Sequence, residues 1–267
     1  MNARPLLRRL PAVLVAGAAV GVWYLISMVV LAEDRRFLFP PPHDVVREGF
    51  LDGDNRAELL DALLLSAQVA SLGLLISAAG AIAMAILMSQ ARWLERSLFP
   101  YFVVLQVTPI LALVPLFGFW WGYGFSTRVL VCVIIAFFPI LTSTLFGIRS
   151  ADASYHDLFR LQNAGRLTRL WKLQLPAALP HIFTGLRIAA GMSVVGAIVG
   201  DFFFRQGQPG IGVLIDLYQS RLQSEQLLAA VLLSSLLGVL VFWFFGWLAR
   251  IVVGGWHESA DEPGVEG

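Results

Sequence analysis

Of the 267 residues, 58% are apolar and only 14% are charged, where soluble domains carry roughly 25% charged residues. A soluble globular chain is thereby excluded, and an integral membrane protein is indicated. The net charge of +1 supplies no bulk field for nucleic acid, and the single cysteine, Cys132, excludes an internal disulfide framework.

Residues 1–9 carry Arg4, Arg8 and Arg9 and read as a basic cytoplasmic end. A first span is expected over 10–32. It is longer than the 7–15-residue core of a secretory signal, so it reads as a retained helix. Residues 33–58 are polar, and Pro40, Pro41 and Pro42 stop any helix there. The run from Asp44 then suits a short amphipathic helix on the outer surface. A second span, 60–88, repeats small residues such as Ser66, Ala70, Gly73, Ser77 and Gly80. Small residues let helices approach closely in lipid, so this span reads as a packed interior helix.

The third span, 98–121, contains Pro100, Pro109 and Pro115 and should be broken or bent. The fourth is expected over 127–148. The fifth, 182–203, has Arg187 near its start and Asp201 near its end. An outer loop, 204–224, carries Gly207, Pro209, Gly210 and Gly212, and a sixth span follows over 225–252. Residues 10–252 thus form one transmembrane domain. The tail, 253–267, is short and acidic and is expected to be disordered and cytoplasmic.

Between the fourth and fifth spans lies a polar interruption, 150–180, holding Arg160, Arg166, Arg169 and Lys172. Leu158, Leu161, Leu167, Leu170, Trp171 and Leu175 keep a helical apolar rhythm through it. A basic amphipathic segment too polar to cross a bilayer belongs on its cytoplasmic face. Connectors between helices usually take 2–8 residues, so this one is long enough to bind a partner.

Six spans put both termini on one side. Arg92, Arg96, Arg149, Arg250 and the loop cations join the N-terminal arginines on that side. Arg35, Arg36, Arg47, Arg56, Arg128, Arg205 and Arg221 fall on the other, so the positive bias agrees with inner termini. His43, His156, His181 and His257 are scattered without metal-ligand spacing and read as interfacial histidines. No G-x-x-x-x-G-K-[ST] run occurs, and Lys172, the one lysine, does not follow a glycine. Any ATP site must sit on another subunit.

Several stretches carry a family resemblance that together spans roughly residues 37–252. They are Phe39-Pro-Pro-Pro-His-Asp-Val-Val, Thr108-Pro-Ile-Leu-Ala-Leu-Val-Pro with its closing Gly122-Tyr-Gly, Phe137-Phe-Pro-Ile-Leu-Thr-Ser-Thr, Leu175-Pro-Ala-Ala-Leu-Pro-His-Ile-Phe-Thr-Gly-Leu-Arg and Gly210-Ile-Gly. In order and spacing the chain resembles the permease subunits of bacterial ATP-binding-cassette importers, in the branch for nitrate, sulfonates, taurine and thiamine precursors. Counting back from Pro176, Asp157 stands at the family's Glu, Leu158 and Phe159 replace two alanines, and Asn163 stands at a Gly. Asn tolerates left-handed backbone nearly as Gly does, so the turn falls on Asn163 or on nearby Gly165.

The resemblance implies an all-α membrane protein with the six-helix type I importer fold, an outer amphipathic helix and a cytoplasmic coupling helix. It implies an inner-membrane location and two ATP-binding subunits, which hold the ATP and Mg. It also implies a second permease copy, as a homodimer or pseudo-dimer, and an extracytoplasmic substrate-binding protein. No cofactor, metal or catalytic residue is expected on this chain. The implied ATPase-coupling residues are Asp157, Leu158, Phe159, Arg160, Leu161, Asn163, Ala164 and Gly165, with Leu158, Phe159 and Leu161 entering a groove on the ATPase. Gln106, Thr108, Thr142, Ser143, Ser193 and Asp201 are candidates to line the solute path. Two other transporters compete: a vitamin-type importer and an ion-coupled carrier. The first needs an Ala-Arg-Gly motif that is lacking, and the second needs mid-span ionisable groups that are nearly lacking.

Overall fold

A computed structural model describes residues 4–203 and 208–253, without the side chains of residues 4–10 and 12. The side chains of Arg4, Arg8 and Arg9, then Arg205, Gly207 and the acidic tail beyond Val253, lie outside the described residues. Every regular element among those described is helical. Five helices are long and apolar enough to cross a membrane, and a bent pair makes a sixth crossing if counted as one span.

The chain divides into two compact units. Among the described residues, the first comprises 4–63 and 214–233. Helix α1 (Arg4–Leu25) continues through a wider turn, Ile26–Val30. Trp23 Nε1 donates to Pro40 O at 2.9 Å, and Tyr24 stacks on His43. The three prolines are thereby pinned against the first span. Helix α2 (Pro42–Asp44) runs into a wide helical turn, Val45–Leu51, which buries Val45 and Gly49. A side chain at Gly49 would begin 2.4 Å from Ala229 Cβ, so only glycine permits that approach. Asp52 Oδ1 accepts from Asp54 N and Asn55 N, starting helix α3 (Gly53–Gln90) at its first turn.

Among the described residues, the second unit comprises 64–203, 208–213 and 234–253. Helices α4 (Arg92–Val107) and α5 (Ile110–Trp121) meet at 97°. The third predicted span is therefore two helices. The break follows from Pro109, which pushes Thr108 into extended backbone, φ −66° and ψ 130°. Helix α6 (Phe125–Arg149) is the fourth span. Helix α9 (Leu175–Asp201) is the fifth, and it continues α8 (Arg166–Arg169) through a wide turn at Leu170–Gln174. The second half of the expected 150–180 loop is thus a helical extension of the fifth span at its N-terminal end. Pro176 is tolerated because it falls in the first turn of α9. Helix α10 is Ile211–Ser220, and α11 is Ser224–Val253.

Helices α6 and α9 pack along each other in this unit. Small residues set their spacing: a side chain at Gly147 would begin 2.7 Å from His181 Cβ, and one at Gly185 2.7 Å from Ser143 Cβ. Gly73 on α3 does the same against Cys132. The core that results gathers Leu74, Met88, Ile140, Leu141, Ile148 and Ile182. Helix α3 packs on one face only. Ser66, Val69, Ala70, Ala81 and Ala85 are buried, while Leu64, Leu72, Leu75 and Leu87 are exposed, so it is not the wholly interior helix expected from its small residues.

Candidate functional sites: a buried ion pair and a capped basic loop

At the end of α9, Asp201 has no accessible surface. Its Oδ1 accepts from Arg128 Nη1 at 3.0 Å. Its Oδ2 accepts from Ser66 Oγ at 2.7 Å and from Gly212 N at 3.4 Å. The Ser66 hydroxyl in turn accepts from Ile211 N at 2.9 Å. One carboxylate therefore ties α3, α6 and α9 to the first turn of α10, whose free N–H groups favour a negative partner. The two glycines of Gly210-Ile-Gly212 make the approach possible. A Cβ on Gly210 would begin 2.0 Å from Asp201 Oδ2, and one on Gly212 2.0 Å from Ile198 O.

Arg128 is the residue of this ion pair that sequence reasoning placed elsewhere. Its position next to the outer boundary suggested a solvated cation, yet it is 3% exposed. The signal available was the acid near the end of the fifth span, which needs a buried cation once it faces inward.

The second site is the loop between α6 and α9. Helix α7 (Ala153–Leu161) begins at Asp152, whose Oδ1 accepts from Ser154 N and Ser154 Oγ, both at 2.8 Å. The backbone N–H, helped by the hydroxyl, holds this carboxyl below its usual range. The helix thus starts four residues before Asp157, the first of the implied coupling residues. It ends in a Schellman turn: Ala164 N donates to Phe159 O and Asn163 N to Arg160 O, each at 2.9 Å. Asn163 takes the left-handed position at φ 52°, while Gly165 sits at φ −64°. Of the two candidates for the turn, the backbone uses Asn163.

Asn163→Gly should leave this turn intact. Asn163→Val should strain it by roughly 1–2 kcal/mol. Limited trypsin digestion checks this: cleavage at Arg160 or Arg166 should accelerate in the valine variant alone.

The exposed face of α7 carries Tyr155, Leu158 and Leu161, at 56%, 48% and 82% exposure. Phe159 is only half-buried and Arg160 and Asp157 are exposed, with a loose 3.9 Å ion pair between the latter two. Ala164 is partly covered and Gly165 is open. The apolar anchors on this face are thus Tyr155, Leu158 and Leu161, the i, i+3, i+6 stripe, with Phe159 turned partly inward. Leu167 and Trp171 add a second exposed pair one helix on. Arg149, at the foot of α6, pairs with Glu95 of α4.

The expected path residues do not come together as one lining. Ser193 is buried, and its hydroxyl donates to Ala70 O at 2.7 Å, bonding α9 to α3. Asp201 faces the network above. Thr142 donates to Phe138 O and Thr108 to Val104 O, each within or at the end of its own helix. Ser143 packs at Gly185, and Gln106 is exposed on α4. An apolar cavity of about 370 Å³ lies between α3, α9 and α11, lined among others by Ala70, Leu74, Ala190, Val194, Val241 and Phe245.

Residues 76–253, which hold α4 to α9 and the whole basic loop, match the family described as "Binding-protein-dependent transport system inner membrane component". The chain belongs to that family. It is a multi-pass permease of an ATP-binding-cassette importer, a system in which ATPase and substrate-binding partners are separate components. It is 31% identical to the formylaminopyrimidine transport permease protein ThiX of Halalkalibacterium halodurans, over 83% of this chain and 89% of that protein. It is 29% identical to the putative aliphatic sulfonates transport permease protein SsuC of Bacillus subtilis, over 94% of this chain and 87% of that one. The permease fold also matches a crystal structure of an amino acid ABC transporter with histidines. The TM-score is 0.59 at 16% identity, covering 74% of this chain and 94% of the other, a likeness of fold alone.

Proposed function

We propose that this permease moves a small polar solute inward across the bacterial inner membrane by alternating access, driven by two ATP-binding subunits docked at α7. A second copy of the chain completes the path as a homodimer, and a substrate-binding protein delivers solute on the outer face. Both termini are cytoplasmic, which places the basic loop and its apolar stripe on the same side as the ATPases. ATP and Mg act on those subunits, and this chain has no catalytic activity or cofactor of its own. The solute belongs with those in the names of its relatives, a sulfonate or a thiamine-precursor-like pyrimidine.

The observation that carries this reading is the exposed Tyr155–Leu158–Leu161 stripe on a helix capped at both ends. Exposed apolar side chains on a rigid short helix need a partner groove. That helix hangs from α6 and runs on toward α9, two helices packed along each other, so force applied to it moves a packed body. Helix α10, tied to Asp201, is placed by this reading at the outer mouth.

Affinity purification of the tagged chain from its native membrane tests the reading. An ATPase should co-purify, and vesicles reconstituted with both, plus the binding protein, should take up solute only with ATP inside the complex's nucleotide-accessible compartment. Solute movement by the purified chain alone would sink it.

A further inference from the structure

We propose that Arg187 is an oxyanion-binding group inside the membrane-spanning part of α9, its anion being the phosphate of an acidic phospholipid or a free oxyanion crossing the membrane. The other cations at the spans and their ends are accounted for. Arg128 is paired with Asp201, Arg149 with Glu95, and Arg250 lies in the last turn of α11. Arg187 lies five residues inside the expected start of the fifth span at 182 and fourteen before Asp201, about 7 Å and 21 Å along the helix. A cation inside a span is costly without a counter-charge.

The protein supplies no counter-charge among the described residues. The guanidinium carbon lies 3.8 Å from the centroid of the Phe242 ring, and this is its recorded partner. An aromatic face attracts a cation through its quadrupole but leaves the net charge in place. The contact runs through the guanidinium carbon and gives the N–H donors no acceptor. Gly246, one turn on from Phe242, lies beside the same guanidinium, where a Cβ would sit in van der Waals contact, 3.5 Å from Arg187 Cζ and Nε. The side chain turns toward Gly246 but stays four residues, about 6 Å, short of Arg250. It is exposed and not packed away.

A planar fork of donors steadied over an aromatic ring suits an anion with two or three oxygens. The apolar cavity begins one turn further along α9, at Ala190 and Val194, opposite Val241 and Phe245 of α11. A cation at the edge of an apolar hollow fits a molecule with a charged head and an apolar body. Both sources have that chemistry or part of it.

Thermal unfolding of the full-length chain, with its ATPases where they co-purify, separates the sources. One arm titrates methanesulfonate in detergent. The other compares nanodiscs of phosphatidylcholine with nanodiscs of phosphatidylglycerol. At least one anion should raise the wild-type midpoint. In Arg187→Gln that rise should vanish or need at least tenfold more anion, and Arg187→Lys should keep part of it. Gly246→Leu retains the charge but sets a branched side chain against the guanidinium, and it should lose the rise as well; it carries the test if the glutamine variant fails to fold. A response to phosphatidylglycerol alone assigns the lipid, and a response to methanesulfonate alone assigns the free anion. Equal responses in wild type, Arg187→Gln and Gly246→Leu, or no wild-type response to either anion, would overturn the proposal. Only the free-anion source rests on the proposed importer function. Because the readout is binding, failure to recover an ATPase would count against that function and leave this result standing.

Discussion

Arg128→Ala should destabilise the folded protein by about 3–5 kcal/mol, because it strands a carboxylate that has no contact with solvent. Asp201→Ala should cost a similar amount from the other side. It leaves a buried guanidinium, an undirected Ser66 hydroxyl and the Gly212 N–H without its acceptor. Asp201→Asn keeps the shape and one acceptor oxygen for Ser66 but turns N–H groups toward Arg128, so it should fall between wild type and alanine. The double change Arg128→Met with Asp201→Leu tests whether the pair is needed for stability at all. Buried ion pairs replaced by apolar residues of similar size are often neutral or better, so the double variant should recover most of the loss. It should not recover transport. The first turn of α10 would still have lost the carboxylate that holds Gly212, and with it the bridge through Ser66 to Ile211. Unfolding by denaturant in detergent reads the first effect, and uptake by reconstituted vesicles reads the second. An Arg128→Ala protein as stable as wild type would remove the ion pair from the account.

The long helices were legible from sequence because each carries a run of apolar residues that only a bilayer or a core can take. Their ends were less so. α3 begins at Gly53 and α9 at Leu175, several residues outside the apolar runs. Backbone hydrogen bonding extends a helix past the point where side-chain hydropathy stops marking it. The 97° break at Thr108 was anticipated in kind by the prolines, since only Pro109 among the three follows a residue left extended. Pro100 and Pro115 stay inside helices, and nothing in the string of residues separates them from Pro109.

In the loop, the register from Pro176 led to Asn163, and the backbone puts its left-handed residue there. The face of α7 was harder. Leu158 and Phe159 are adjacent in sequence and so point about 100° apart on a helix. Choosing between them needs the stripe to extend to Tyr155, a residue that reads as polar. The partnership of Arg128 and Asp201, 73 residues apart, required knowing that α6 and α9 lie side by side. Charge counting alone put Arg128 in water.

Leu161→Asp should uncouple ATP hydrolysis from transport while leaving the permease folded. Leu161 is the most exposed apolar residue of α7, at 82%, so a charge there removes no core contact and should change stability by no more than about 0.5 kcal/mol. Its effect should appear only when a partner groove closes over it. There the aspartate would be desolvated without a counter-ion, at a cost of several kcal/mol, enough to weaken docking at least a hundredfold. Leu158→Asp should behave alike, and Tyr155→Ala should weaken docking less, since it deletes contact without burying a charge. Phe159→Asp is the control with a different signature. This side chain is half-buried within the loop itself, so its loss of transport should come with a lower unfolding midpoint. Two measurements separate the classes: retention of the ATPase on the tagged permease, and solute taken up per ATP hydrolysed. Coupled uptake by Leu161→Asp at the wild-type ratio would show that the ATPases grip some other surface, the Leu167 and Trp171 pair being the next exposed apolar face along the chain.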